Sequence, residues 1–306
     1  MLIPTTGFRP LTELIKRVKS DSQSSLLSLT IVVALNGRLE YNLPKEITVL
    51  KVSSVPIGVA NTVNYALGQL NPADLVWTIA DDDEWISGKF NHDLRSIKDF
   101  EEDFILLPRA ELIDEFSRSI RPLVPIRNSD PIFDYLFSQF SFRRNPRYVT
   151  LSGACAKRST WTKVAFEHSP AMEDIVYLHK QQLVGTKLLQ ANDVTVRLNV
   201  SVSRSASRNS ENRFLPIRFA ESYLDKRQSS RYFNNSILKP FALLGKSKEL
   251  ISFANRMAFG QSKKLPPSTL AQVWLLTIMW TPISIAVRAL FRLKQYWRCF
   301  SGNRVD

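Results

Sequence analysis

The first eighty residues alternate short β-prone apolar runs with amphipathic segments, and that order admits few folds. "MLIPTT" reads as a strand; residues 11–19 read as a helix with Leu11, Leu14, Ile15 and Val18 on one face; "LSLTIVVAL" reads as a second strand ending at Asn36 and Gly37. "EITVLKVSS" gives a third strand, "GVANTVNYALGQL" a second helix and "DLVWTIA" a fourth strand. Continuous β-branched runs separated by helices fit strands buried on both faces, so the expected fold is α/β, a mostly parallel sheet flanked by helices. Ligands in such sheets bind at the carboxyl ends of the strands.

The fourth strand ends in Asp81, Asp82 and Asp83. Three like charges beside a core are costly without a cation. Residues two apart in an extended segment share a side, so Asp81 and Asp83 can face one divalent ion while Asp82 turns elsewhere. Oxygen ligands of this kind suit Mn²⁺ or Mg²⁺, with substrate phosphates and water completing the shell. The alternative is an acidic loop that caps the following helix.

Further along, "FILLPRAELI" reads as a strand, residues 131–140 as an apolar helix, "YVTLSGACAKR" as strand-like and "VTVRLNVSVS" as a closing strand. In "AFEHSPAMEDIVYLHKQQ", Ser169 and Pro170 are start signals for a helix, with Glu173 and Asp174 near its first turn. Taken by itself, the pair reads as favourable placement of acids at a helix N-terminus. Adjacent helical residues project about 100° apart, so only one of the two is expected to aim into a cleft.

These segments together resemble glycosyltransferase family 2, whose members have the GT-A fold. "LIPTTGFRPLTELI" is similar to its opening strand and helix, "IGVANTVNYAL" to its Gly-x-x-x-Ala-x-Asn helix, and "WTIADDDEW" to its Asp-x-Asp strand. "LSGACAKRSTW" is similar to its acceptor-side strand and "MEDIVYLHKQ" to its Glu-Asp helix, so that the resemblance covers roughly residues 2–205 in the family order. It implies a nucleotide-diphosphate sugar donor, a glycan or lipid-linked acceptor in surface polysaccharide biosynthesis, and inversion at the anomeric carbon. It also implies Asp83 as principal metal ligand, Asp81 on the metal or ribose, Asp174 as the base that takes the acceptor proton, and Glu173 beside it. Thr5, Thr6, Arg9, Asn36, Asn64, Asp81, Asp82 and Arg204 are the expected donor contacts.

The chain departs from the family pattern in the donor region. Asn36 and Gly37 stand where many members end the second strand in Asp, Val63 precedes Asn64 where an Arg is common, and "SVSRSASR" supplies Arg204 and Arg208 where a metal-binding His often follows the last strand. Guanidinium matches phosphate in a bidentate way, so Arg204 or Arg208 would serve a diphosphate directly.

The net charge of +13 is unevenly placed. Residues 218–306 carry fifteen Lys and Arg against four Asp and Glu, whereas residues 1–217 carry only +2. The expected organisation is a catalytic domain, 1–217, followed by a basic, aromatic helical region, 218–306. In that region "LAQVWLLTIMWTPISIAV" lies in an uncharged stretch, residues 265–287, bracketed by Lys263, Lys264, Arg288, Arg292, Lys294 and Arg298. Helices lying in a membrane interface are the favoured reading, with a single span or a buried helical subdomain as alternatives. That reading places the protein at the cytoplasmic face of a membrane. The competing functional class is a noncatalytic nucleic-acid-binding or membrane-scaffold protein; the tail carries no nucleic-acid module, so no nucleic-acid partner is expected.

The three histidines and Cys155 read as structural, and the loop Arg143, Arg144 and Arg147 as solvated or as a contact for an anionic acceptor. Two cysteines, Cys155 and Cys299, make no disulfide framework and fit a reducing compartment, and "MLIPTTGFRP" does not read as a secretory signal.

Overall fold

The computed structural model describes residues 1–39, 41–55, 57–72, 74–113, 120–126, 130–137, 148–167, 172–199, 222–224 and 228. The chain parts into two compact units, Met1–Leu136 with Phe142–Asn212, and Phe137–Ser141 with Arg213–Asp306. Everything that follows concerns the first. Apart from residues 222–224 and 228, the basic region expected at a membrane, with its apolar stretch, lies outside the described residues, as do Arg143, Arg144, Arg147, His168, Arg204 and Arg208.

β1 (Leu2–Thr5), β2 (Val32–Asn36) and β3 (Thr48–Ser53) pair in parallel in the order β1-β2-β3. β2 is buried at every position, as a strand covered on both faces must be, while β3 alternates exposed and half-buried residues at the edge. The connecting helices are α1 (Thr12–Ser24), which follows β1, and α2 (Val59–Gly68), which follows β3. Leu14, Ile15 and Val18 of α1 are buried at helical spacing, as the sequence suggests.

α1 runs five residues beyond the expected end at residue 19. The apolar stripe stops, but buried Asp21 continues the inward face by accepting hydrogen bonds from Trp85 Nε1 at 2.8 Å, the Gly88 N–H at 2.6 Å and the Phe90 N–H at 3.2 Å. A buried carboxylate satisfied by three donors is a tertiary decision invisible to local periodicity.

The remaining strands form a mixed sheet: β4 (Leu75–Trp77), β5 (Glu84–Trp85), β6 (Phe104–Ile113), β7 (Ile120–Pro122), β8 (Cys155–Lys157) and β9 (Lys187–Asn199). Their order is β4-β8-β6-β9-β5, with β7 on β6. The expectation of a mostly parallel sheet therefore holds for β1 to β3 and for β6 with β9, and not for the rest. β8 enters antiparallel between β4 and β6, where Cys155 pairs with both Trp77 and Leu106. It needs no crossover helix there, and its small buried residues fit the gap.

A parallel bridge from Leu2 to Thr78 carries the first sheet onto the β4 edge, and Ile79 N–H donates to the Leu2 carbonyl at 3.1 Å. The core beneath gathers Ile3, Val33, Ile79, Phe104 and Leu106 with Trp77 and Trp85, whose rings meet Phe90 at 5.0 Å edge-on and 4.7 Å tilted. α3 (Lys89–Ile97) packs against β9, and α4 (Ile132–Phe137) falls within the expected 131–140 segment, of which residues 138–140 lie outside the described residues.

α5 (Arg158–Trp161) leads to α6 (Glu173–Leu183). α6 starts three residues later than a Pro170 start would give, and Ser169 and Pro170 lie outside the described residues. Met172, at φ 60, interrupts helical propagation and makes Glu173 the first helical residue. Glu173 and Asp174 consequently occupy the first turn itself.

Candidate functional site

The aspartates do not continue the strand. Asp83 N–H donates to the Ala80 carbonyl at 3.3 Å, closing a turn, so the two-residue alternation that would pair Asp81 with Asp83 does not apply. Each carboxylate instead finds its own partner. Asp81 accepts from the Thr5 hydroxyl at 2.6 Å, and Thr5 Oγ1 in turn accepts the Gly7 N–H at 3.0 Å. Asp82 pairs with the Arg9 guanidinium at 2.8 Å. Asp83 accepts from the Asn199 N–H at 3.1 Å.

Asp82 and Asp83 border a cavity of ≈ 550 Å³, and Asp81 is turned toward β1. Burial pushes the Asp83 carboxyl up to about 6, opposed by hydrogen bonds from the Ser152 hydroxyl and Asn199 N–H and reinforced by the charges of Asp174 and Asp81. Asp83 is thus an acid whose ionised form is only partly compensated by its two hydrogen bonds.

Across the cavity stands Asp174, from the first turn of α6. Its Oδ2 accepts the Leu151 N–H at 3.2 Å, and burial raises its pKa despite that bond. Glu173 is not on the cavity wall, in keeping with the angular separation of neighbouring helical residues; burial first, then the Asp174 charge, push it up to about 7. The walls between the acids are mainly apolar, with Val59 and Val63 of α2, Leu112 of β6, Leu198 of β9 and Phe166. Tyr148 borders the same cavity, where burial first, then the charges of Asp174 and Asp83, raise its phenol pKa.

Two expected donor contacts do structural work. Asn36 is buried, donates to the Gly58 carbonyl at 3.3 Å and accepts the Ile57 N–H at 2.8 Å, which fixes the start of α2. Asn64 makes a paired amide contact with the Phe166 backbone, donating to its carbonyl at 2.8 Å and accepting its N–H at 2.9 Å. That pair holds the Phe166 wall of the cavity against α2. Both amides are therefore committed to backbone rather than presented to a donor. Arg9, likewise expected at the donor, is tied to Asp82.

Thr6 supplies the backbone of an interlock between two strand ends. An added Cβ at Gly37 would lie 2.4 Å from the Thr6 carbonyl oxygen, and one at Gly7 would lie 2.1 Å from that of Arg38. Both glycines have positive φ, so the β1 and β2 ends approach at a distance only glycine permits.

Ser152 and Asn199 escaped the sequence reading as site residues. Ser152 Oγ accepts the Ala80 N–H at 3.0 Å while serving Asp83, and it lies seventy-two positions from Ala80. No local signal marks either residue, because their partners are set by strand order. The histidines hold to the structural reading where described: His179 stacks on Phe133 with centroids 4.0 Å apart, and His92 pairs with Asp193 at 2.7 Å. Cys155 is fully buried, with its thiol pushed well up by burial.

Among the described residues no group of three or more His, Cys, Asp or Glu side chains is gathered as a metal cage. A cation held by one or two carboxylates and completed by substrate phosphates requires no such cage. The oxygen-only donor set and the partly compensated charge at Asp83 fit an ion of that kind.

No family model matches the chain, and no curated protein matches it. Among solved structures it is similar to a crystal structure of GalNAc-T7 with UDP, GalNAc and Mn²⁺, at 13% identity and TM-score 0.48 over 94% of this chain. The chain spans 56% of that protein's length, and a likeness of this degree assigns neither fold family nor activity.

Proposed function

We propose that the chain is a GT-A-type glycosyltransferase, close to family 2, that moves a sugar from a nucleotide-diphosphate donor to a glycan or lipid-linked acceptor. The carrying observation is that Asp83 and Asp174, from sequence-distant elements, border one ≈ 550 Å³ cavity next to the carboxyl ends of β1 and β4. Asp83 is the residue that would hold Mn²⁺ or Mg²⁺, while Asp81 is turned toward Thr5 of β1; when bound, such an ion neutralises a diphosphate leaving group.

Asp174 takes the proton of the acceptor hydroxyl. Its carboxylate is oriented by the Leu151 N–H, and its raised pKa makes it a stronger base than an exposed aspartate. Glu173 stands beside Asp174, whose charge helps to raise the Glu173 pKa. The apolar walls exclude water from the space where the sugar transfers, which limits hydrolysis. In this reading Arg204 joins the donor site, and the basic region 218–306 holds the enzyme at the cytoplasmic face of a membrane, near a lipid-linked acceptor. No helix among the described residues is long and apolar enough to cross a membrane.

A second reading has a specific observation behind it. Asn36, Asn64 and Arg9 are all committed to the protein itself, which favours a noncatalytic relative that has kept the fold. One experiment separates the two: a thermal-shift screen of nucleoside diphosphates and nucleotide sugars, with and without Mn²⁺, on the native chain, Asp83→Ala and Asp174→Asn. The enzyme reading expects a metal-dependent shift with one nucleotide, lost in Asp83→Ala and kept in Asp174→Asn. With that donor and its acceptor, Asp174→Asn is expected to transfer sugar ~10²–10⁴-fold more slowly. No shift with any nucleotide on folded protein supports the noncatalytic relative.

A further inference from the structure

We infer that Asn199 is a positioning residue for the aspartate turn, setting where the Asp83 carboxylate points. The inference rests on the reading of Asp83 as a metal ligand. Asn199 ends β9 and meets the turn twice. Its N–H donates to Asp83 Oδ1 at 3.1 Å, and its side-chain Nδ2 donates to the Asp82 main-chain carbonyl. One bond fixes a carboxylate oxygen and the other fixes the peptide that carries it.

The anchor behind these bonds is rigid. β9 runs parallel to β6, with Ile113 opposite Asn199, and antiparallel to β5, with Glu84 opposite Arg197. The residue after Asp83 is therefore already laddered to β9, and the Asn199 contacts extend that ladder into the turn. With the carboxylate held by the Asn199 N–H and the Ser152 hydroxyl, two of its four lone pairs remain for a ligand. Partners that orient a metal-ligating carboxylate typically affect affinity by ~10–100-fold.

The residue type matters because Nδ2 must donate. Aspartate at this position has the same size but no donor, and it would set a carboxylate against the Asp82 carbonyl beside three existing carboxylates. Alanine removes the side-chain bond, adds no charge and leaves the backbone N–H in place.

The test measures Mn²⁺ binding to the full chain by the loss of the free-ion paramagnetic resonance signal, with Mn²⁺ alone and with UDP or GDP. The chains are wild type, Asn199→Ala, Asn199→Asp and Arg197→Gln. The last is a control for general loosening of β9, since Arg197 contacts Glu84 and Glu111 at the surface. Expected are ~10-fold weaker Mn²⁺ binding in Asn199→Ala, a larger loss in Asn199→Asp, and less than about twofold change in Arg197→Gln. Asn199→Ala carries the test if Asn199→Asp does not fold. Wild-type affinity in both Asn199 variants overturns the inference and leaves Asp83 as ligand intact; equal weakening in Arg197→Gln overturns it as well. Failure of the wild type to bind Mn²⁺ under any of these conditions removes the metal reading and the inference together.

Discussion

Asp83→Asn is expected to stabilise the metal-free protein while abolishing metal-dependent nucleotide binding. The Asp83 carboxyl is pushed from 3.8 up to about 6, chiefly by burial. Below the unfolded pKa both states hold the proton, and Asp83 contributes nothing to the pH dependence. Between the unfolded and folded values the folded chain keeps a proton that the unfolded chain has released, so stability falls as pH rises. Above the folded value the penalty is constant. A shift of about two units at 1.36 kcal/mol each gives at most about 3 kcal/mol, and water reaching the cavity reduces it. The asparagine amide is neutral, matches the carboxylate in size and still accepts from the Asn199 N–H, so most of this penalty disappears in the variant. At roughly 2–4 °C per kcal/mol for a domain of this size, the melting temperature should rise by roughly 4–10 °C near pH 8 and converge with wild type near pH 4. Calorimetric or fluorescence melts in chelator at both pH values are the assay. A variant less stable than wild type near pH 8, or a difference that does not change with pH, would refute the assignment of Asp83 as a desolvated acid only partly compensated by hydrogen bonds.

Two further outcomes follow from the same physics. Gly7→Ala puts a Cβ 2.1 Å from the Arg38 carbonyl oxygen at φ +89, and the obstacle is backbone; chemical denaturation should show a loss of ~2 kcal/mol or more, with weaker nucleotide binding because Gly7 also supports Thr5 and Asp81. Lys89 and Asp93 form a wholly buried ion pair at 2.7 Å, beside Trp77 Nε1 on Asp93 at 2.9 Å and with Lys89 over the Trp85 ring at 5.3 Å. Lys89→Met strands a buried carboxylate and should cost ~3–5 kcal/mol, whereas Lys89→Met with Asp93→Leu should recover much of it; a thermal double-mutant cycle reads the difference.

Elements whose logic is local can be read from the order of residues alone. The strand–helix order of β1, α1, β2, β3 and α2, the buried face of Leu14, Ile15 and Val18, and the position of β6 are written in periods of 3.6 and 2, because a helix or strand buries whatever recurs on one side of it. The same order places carboxylates at the end of a buried strand and at the start of a helix, where chain geometry brings ligands and dipoles. Which of these groups come together depends on packing between distant elements. The turn at Ala80 to Asp83 broke the alternation that would have paired Asp81 with Asp83, and Met172 at positive φ moved the start of α6 onto Glu173. The antiparallel entry of β8 brought Ser152 beside Asp83 and Leu151 onto Asp174, and the end of β9 delivered Asn199 to a partner 116 positions away. Asn36, Asn64 and Arg9 show the same division in reverse: their residue types suit a ligand, but each lies next to a protein partner that engages it. Hydrogen bonds and burial depend on distance in space, and sequence patterns carry distance only along one element at a time.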